Sequence, residues 1–230
     1  MRKTALALPT FLAAGLLAIT GVASPAAASS KPVNAPAAKR VAKEGSGVKT
    51  AIFAGGCFWG VEGVFSHVKG VKSAVSGFHG GAAGTAQYRT IVTGTTNHAE
   101  AVKITYDPYV VRYDELLRIY FSVVTDPTQL NRQGPDVGAH YRSALVPLSN
   151  EQAVVAKAYI AQLGKSGVFK RPIVTKIEKH RKFYPAEGYH QDYMVKNPTQ
   201  AYIVRNDAPK VRALKAMFPR DYRASFLRDG

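Results

Sequence analysis

The chain has 230 residues, a formal charge of +16 and a single cysteine, which excludes an internally disulfide-stapled domain and makes a thiolate metal cluster improbable. The length suffices to bury a full core. The lysines and arginines are scattered, with mild concentrations near 39–49 and 205–228, so the charge reads as solvated surface that attracts anionic lipids or acidic partners rather than a nucleic-acid footprint.

Met1-Arg2-Lys3, a long Ala/Leu-rich run and Ser24-Pro25-Ala26-Ala27-Ala28 have the basic, apolar and small-residue parts of a secretory signal, cleaved after Ala28. Residues 1–28 are therefore expected to be a signal peptide, and the protein to be exported to the periplasm or outside the cell, with some envelope association. No later stretch approaches the ~20 apolar residues that a membrane span needs. Residues 29–47, rich in Ala, Pro, Lys and Ser, read as a disordered linker. A single domain is expected over 48–205, followed by a basic tail over 206–230.

Strand-like runs fall at 48–54, 71–78, 99–106, 144–148 and 173–177. Helical patterns lie between several of them: one over 113–124 carries an apolar stripe, and another starts where Ser149 and Gln152 fit a capping box. This order predicts an α+β fold, a compact two-layer α/β sandwich with a mixed, mainly antiparallel sheet and a ferredoxin-like core. No repeat, Walker loop or dinucleotide fingerprint is present. Gly80-Gly81-Ala82-Ala83-Gly84 reads as a turn, and the six histidines show no ligand spacing, so no metal is expected.

Cys57 sits in Gly55-Gly56-Cys57-Phe58-Trp59-Gly60, where the first strand-like run gives way to a helical pattern. At a helix N-terminus, unpaired N–H groups and the helix dipole favour the thiolate, so a depressed pKa is expected for this thiol. The competing reading is a small buried hydrophobe. In Ala99-Glu100-Ala101-Val102-Lys103-Ile104-Thr105-Tyr106, Glu100 shares the face of Val102, Ile104 and Tyr106. Partial burial there raises a carboxyl pKa and keeps a proton available, whereas a solvated strand start leaves it ionised. Tyr88 and Tyr141 are phenolic donors able to hold a developing negative oxygen, and the polar loop that contains Asp136 precedes a strand.

Gly-Cys-Phe-Trp-Gly at 56–60, Asn97-His98-Ala99-Glu100-Ala101-Val102, Asp126-Pro127-Thr128-Gln129 with Asn131-Arg132-Gln133-Gly134, Asp136-Val137-Gly138 with Tyr141-Arg142-Ser143, and Tyr184-Pro185-Ala186-Glu187 with Tyr189-His190-Gln191 together resemble the type A methionine sulfoxide reductase family. The resemblance implies an α/β sandwich that reduces the S epimer of methionine sulfoxide, free or in proteins. It further implies Cys57 as the nucleophile and Glu100 as the group that protonates or hydrogen-bonds the sulfoxide oxygen. By position, Tyr88 and Tyr141 would bind that oxygen, Phe58 and Trp59 would hold the substrate methyl group, and Asp136 would support the site. Many members carry further cysteines in the tail; residues 199–230 have none, so a Cys57 sulfenic acid would be regenerated by an external thiol such as a thioredoxin-like protein, or dithiothreitol in vitro. His140, Asn97 and Gly188 depart from the usual pattern, and the segment before Tyr88 lacks its usual proline. The expected protein is a monomer with no bound cofactor, acting on methionine-sulfoxide-containing proteins. Two other readings compete: a non-catalytic basic binding module, and a cysteine hydrolase pairing Cys57 with His98 or His190.

Overall fold

The computed structural model describes residues 31–228; the expected signal peptide lies outside the described residues. Six strands form one sheet: β1 (Lys49–Gly55), β2 (Val71–His79), β3 (Ala99–Tyr106), β4 (Ser143–Val146), β5 (Lys176–Ile177) and β6 (Phe183–Pro185), in the order β5-β4-β1-β3-β2-β6. All neighbours are antiparallel except β4 and β5. The four central strands have the split βαβ order of the ferredoxin-like core. Of the apolar run 173–177, only Lys176–Ile177 joins the sheet.

Helices α1 (Phe58–Ser66), α2 (Tyr113–Ile119), α3 (Asn150–Ser166) and α4 (Ala208–Met217) surround the main core. α2 continues as a wider π-type turn over Tyr120–Val124, so the helical stripe read over 113–124 is one apolar face with a change of winding. Ser149 caps α3 by accepting from the Gln152 N–H at 3.2 Å, as the capping-box pattern predicts. The main core lies on one side of the sheet, around Phe53, Phe65, Tyr113, Tyr120 and Phe121. The other side is thinner and made of small residues, Ala54, Ala99, Ala101 and Ala144, with Ile52 and Val146.

Two segments differ from expectation. Residues 31–47 are not a free linker: Ala35 and Ala42 are buried in the core, the Val33 N–H donates to the Ser122 carbonyl at 2.8 Å, and Glu44 accepts from the Tyr106 hydroxyl and from the Tyr113 N–H at 2.9 Å. Alanines and one well-placed carboxylate suffice to tie down a stretch whose composition looks disordered, because packing of small side chains leaves no periodic signal in a sequence. The basic tail likewise forms a π-type turn, Ile203–Asp207, and then α4, which packs on α1, with Asp207 and Lys210 against Gly60, and buries Leu214. Its lysines and arginines hide a short apolar stripe, and its polar residues reach the sheet end beside Cys57.

Candidate active site

Cys57 is the N-cap of α1, reached from β1 through Gly55-Gly56. Gly56 has φ +92°, and a Cβ there would lie 2.6 Å from Gln133, so both the turn and the close approach of the loop require glycine. Cys57 is 7% exposed. Burial pushes the thiol well above its ordinary pKa, and the nearby carboxyls of Asp207, Glu100 and Asp136 push the same way, against the Trp59 amide, which lowers it. This corrects the expected depression: the helix N-terminus acts in the anticipated direction, but loss of water and three acidic neighbours outweigh it. The resting thiol is protonated.

Glu100, on β3, is 1% exposed and points with Val102, Ile104 and Tyr106 into the main core, as the alternation predicts. Its Oε2 accepts from the Phe58 N–H at 3.0 Å. Burial raises its pKa to about 8, with smaller upward contributions from Asp136 and Asp207, while the Phe58 bond pulls down. The acid therefore retains its proton at neutral pH.

Two phenols lie within electrostatic reach of Cys57 and Glu100. Tyr88 opens the short helix Tyr88–Ile91, with its N–H held by Glu187 at 2.9 Å. Burial raises its pKa to about 12, followed by the charges of Glu100 and Cys57. Tyr141 is raised by burial and then by the same two groups, so both phenols remain protonated donors within electrostatic reach of the thiol and the acid. Asp136, on a two-stranded ribbon formed by Arg132–Gln133 and Asp136–Val137, accepts from the Tyr202 hydroxyl. Burial raises its pKa, against that bond and the charge of Lys210.

Aromatic rings build the rest. Phe58 is buried against Phe78, Tyr88 and His190, with centroids 5.8, 6.5 and 5.0 Å away. Trp59 stacks on Tyr193 at 3.8 Å and donates from Nε1 to His190 Nδ1 at 3.2 Å. His98 is likewise engaged, accepting from the Gly81 N–H at Nδ1 and meeting the Ala82 carbonyl at Nε2. Burial lowers both imidazole pKa values. These neutral rings support turns and aromatics, and the contacts they make give no support to a Cys–His hydrolase pair.

Asp207, Lys210, Tyr202 and Tyr193 were not singled out from the sequence. Asp207 is 0% exposed, lies against Gly60 in the first turn of α1 and accepts from Lys210 Nζ at 3.2 Å. Burial raises its carboxyl, against the charge of Lys210. The i,i+3 spacing of Asp207 and Lys210 was a visible sign of a pair, but only the fold shows that it is buried. Among the described residues, no group of three His, Cys, Asp or Glu side chains could hold a metal ion.

A protonated buried thiol beside a protonated buried acid, ringed by phenols and aromatics, defines a site for nucleophilic thiol chemistry on a polarised bond to oxygen. The Peptide methionine sulfoxide reductase family matches residues 49–221. The Peptide methionine sulfoxide reductase MsrA 2 of Mesorhizobium japonicum is 57% identical over 180 residues, which cover 78% of this chain and 92% of that protein. The MsrA of Deinococcus radiodurans is 48% identical over 174 residues, 76% of this chain and 84% of that protein. Among solved structures, methionine sulfoxide reductase A of Corynebacterium diphtheriae superposes with a TM-score of 0.56 at 35% identity, over 66% of this chain and 76% of that one. Reduced Mxr1 of Saccharomyces cerevisiae gives 0.57 at 31% identity, over 70% and 92%. The chain belongs to the peptide methionine sulfoxide reductase family.

Proposed function

We propose that this chain reduces the S epimer of methionine sulfoxide, free or within proteins, with Cys57 as nucleophile and Glu100 as proton donor, and that an external thiol, a thioredoxin-like protein in the cell, restores Cys57. The observation that carries this reading is the Glu100 carboxyl, protonated at neutral pH by burial and fixed by the Phe58 N–H beside Cys57. Glu100, Tyr88 and Tyr141 donate to the sulfoxide oxygen, drawing electrons from sulfur, while Phe58 and Trp59 take the methyl group. As the Cys57 sulfur attacks the substrate sulfur, Glu100 protonates the oxygen and is reprotonated at the expense of the thiol proton. The new S–S bond forms as the substrate S–O bond breaks and the protonated oxygen leaves as water. Water then attacks the Cys57 sulfur, the S–S bond breaks, methionine leaves, and Cys57 is left as a sulfenic acid with the proton returned to Glu100. Cysteine sulfur loses two electrons and substrate sulfur gains them. Two external thiol equivalents then return Cys57 to the thiol, releasing water and a disulfide.

The direct test is turnover of separated epimers of a methionine sulfoxide peptide with excess dithiothreitol. Reduction of the S epimer alone, lost in Cys57→Ser, is the expected result; equal turnover by Cys57→Ser, or none by either protein, overturns the reading. Export is part of the same proposal and is supported by the basic opening, apolar run and small residues of 1–28. Fusion of that segment to a reporter active only outside the cytoplasm tests it, and an inactive fusion rejects export.

A further inference from the structure

A cleft of about 520 Å³ lies at the same end of the sheet as the candidate active site but on its opposite face, lined by His79, Arg142, Lys176, Glu178, Lys179 and Arg181 among others. Its position follows from the register. Phe78 pairs with Glu100 and His79 with Ala99, and successive residues point to opposite faces, so Phe78 and Glu100 serve Cys57 while His79 lines the cleft. Arg142 likewise follows Tyr141 directly. The wall is completed by the segment 178–182, which runs from β5 at one edge of the sheet toward β6 at the other, held by the Glu178 N–H on the Leu145 carbonyl at 2.9 Å and the Arg181 N–H on His79 Nε2 at 3.0 Å.

The charge of this cleft is one-sided. Glu178 is committed to Arg142, at 2.7 and 3.1 Å from its Nε and Nη2 atoms. Lys176, Lys179 and Arg181 are exposed and make no ion pair among the described residues. His79 is 1% exposed, and its Nδ1 has no hydrogen-bond partner; the nearest carboxylate oxygen, on Glu178, is 3.6 Å away.

We propose that this basic cleft is a subsite for acidic side chains of a polypeptide substrate, so that the enzyme prefers oxidised methionines flanked by Asp or Glu. The inference rests on the proposed reductase activity. An extended chain advances about 3.3 Å per residue and a sheet layer is about 10 Å deep, so acidic residues roughly three to five positions from the sulfoxide reach the cleft while the sulfoxide sits at Cys57. A site one residue along the strands from Glu100 is placed to read the substrate's own chain, which favours a peptide over a lipid surface.

The test compares two S-sulfoxide peptides that differ only in Glu or Gln at those flanking positions, with N-acetyl-methionine S-sulfoxide as a substrate too small to reach the cleft. The wild type is expected to show a several-fold higher kcat/KM for the Glu peptide, carried by KM and abolished at about 0.5 M salt. The double substitution Lys179→Glu, Arg181→Glu should reverse that preference and leave N-acetyl-methionine S-sulfoxide turnover unchanged. Equal kcat/KM for the two peptides, or a preference that survives the double substitution, overturns the proposal. Binding to phosphatidylglycerol vesicles that the double substitution abolishes, with no peptide preference, would assign the cleft to a membrane surface and overturn it as well. If no substrate is turned over, the reductase reading fails on its own, and the cleft is judged by fluorescence anisotropy of the unoxidised Glu peptide, whose binding must be lost in the double variant.

Discussion

The Phe58 N–H and Glu100 Oε2 meet at 3.0 Å, so the acid is attached to the same turn of backbone that carries Cys57, the proposed nucleophile. One carboxyl oxygen is thereby fixed on that turn. Glu100→Gln keeps an acceptor for that N–H but has no proton to give, and kcat is expected to fall by roughly 100- to 10,000-fold, with KM little changed. In the wild type, kcat declines as pH rises through about 8, where Glu100 ionises. Steady-state rates across this range in both proteins check the assignment, since the variant should lack that decline.

The same carboxyl ties stability to pH. Its folded pKa is about 8 against an ordinary 4.5, so between those values the folded chain holds a proton that the unfolded chain has released. The stabilising contribution is complete below the ordinary value and is lost as pH rises through the folded one. Relative to the wild type, the Tm of Glu100→Gln should therefore climb between about pH 5 and about pH 9. A difference in Tm that stays constant over the interval would contradict the burial-driven shift.

After burial, Asp207 is the largest influence that raises the Cys57 thiol. Asp207→Asn should make that thiol more acidic, seen as faster alkylation by iodoacetamide at mildly alkaline pH. Lys210→Met leaves Asp207 buried without its cation, and breaking such a pair costs about 3–5 kcal/mol. Chemical denaturation of Lys210→Met, alone and combined with Asp207→Asn, checks this, because the double variant should recover part of the loss.

Glu44 joins residues 31–47 to the core through Tyr106 and the start of α2. Glu44→Ala should lower stability by about 1.5–3 kcal/mol, as expected for loss of hydrogen bonds to a charged group. Urea denaturation measures it; an unchanged midpoint would mean that the segment rests on the core without supporting it.

One turnover without added thiol should leave a single dimedone-type adduct on Cys57, with no intramolecular disulfide, since the chain has no second cysteine. Intact-mass measurement reads the adduct directly. A disulfide-linked dimer as the main product would contradict the external-thiol route.

The parts of the site legible in the sequence were those written in local patterns. Strand alternation placed Glu100 inward, the change from strand to helix placed Cys57 at a helix start, and the family motifs singled out Phe58, Trp59, Tyr88, Asp136 and Tyr141. The mainly antiparallel sheet with a ferredoxin-like core was legible because element order and length constrain a small α+β domain, whereas the three-residue edge strand Phe183–Pro185 is too short to leave a period-2 signal. Asp207, Tyr202 and the anchoring of residues 31–47 were not, because each depends on a long-range contact made by a segment with a polar or low-complexity composition. The protonation state of Cys57 was misjudged for a related reason: a helix terminus can be read locally, whereas burial and three converging carboxyls are properties of the assembled fold.

The turn before Cys57 is seated against two separate parts of the protein, the π-type turn and the ribbon strand that carries Gln133. A side chain at Gly55 would approach Val124 and Tyr120 of the π-type turn at 3.0 and 3.1 Å, one at Gly56 would meet Gln133, and the Tyr120 hydroxyl holds the Ala54 carbonyl at 2.6 Å. The backbone that carries the sulfur is thus braced from both sides, by the π-type turn at Gly55 and by Gln133 at Gly56. Repacking either brace would shift the backbone at Cys57, which makes Tyr120, Val124 and Gln133 a mechanical control on a thiol that none of the three touches through its own chemistry.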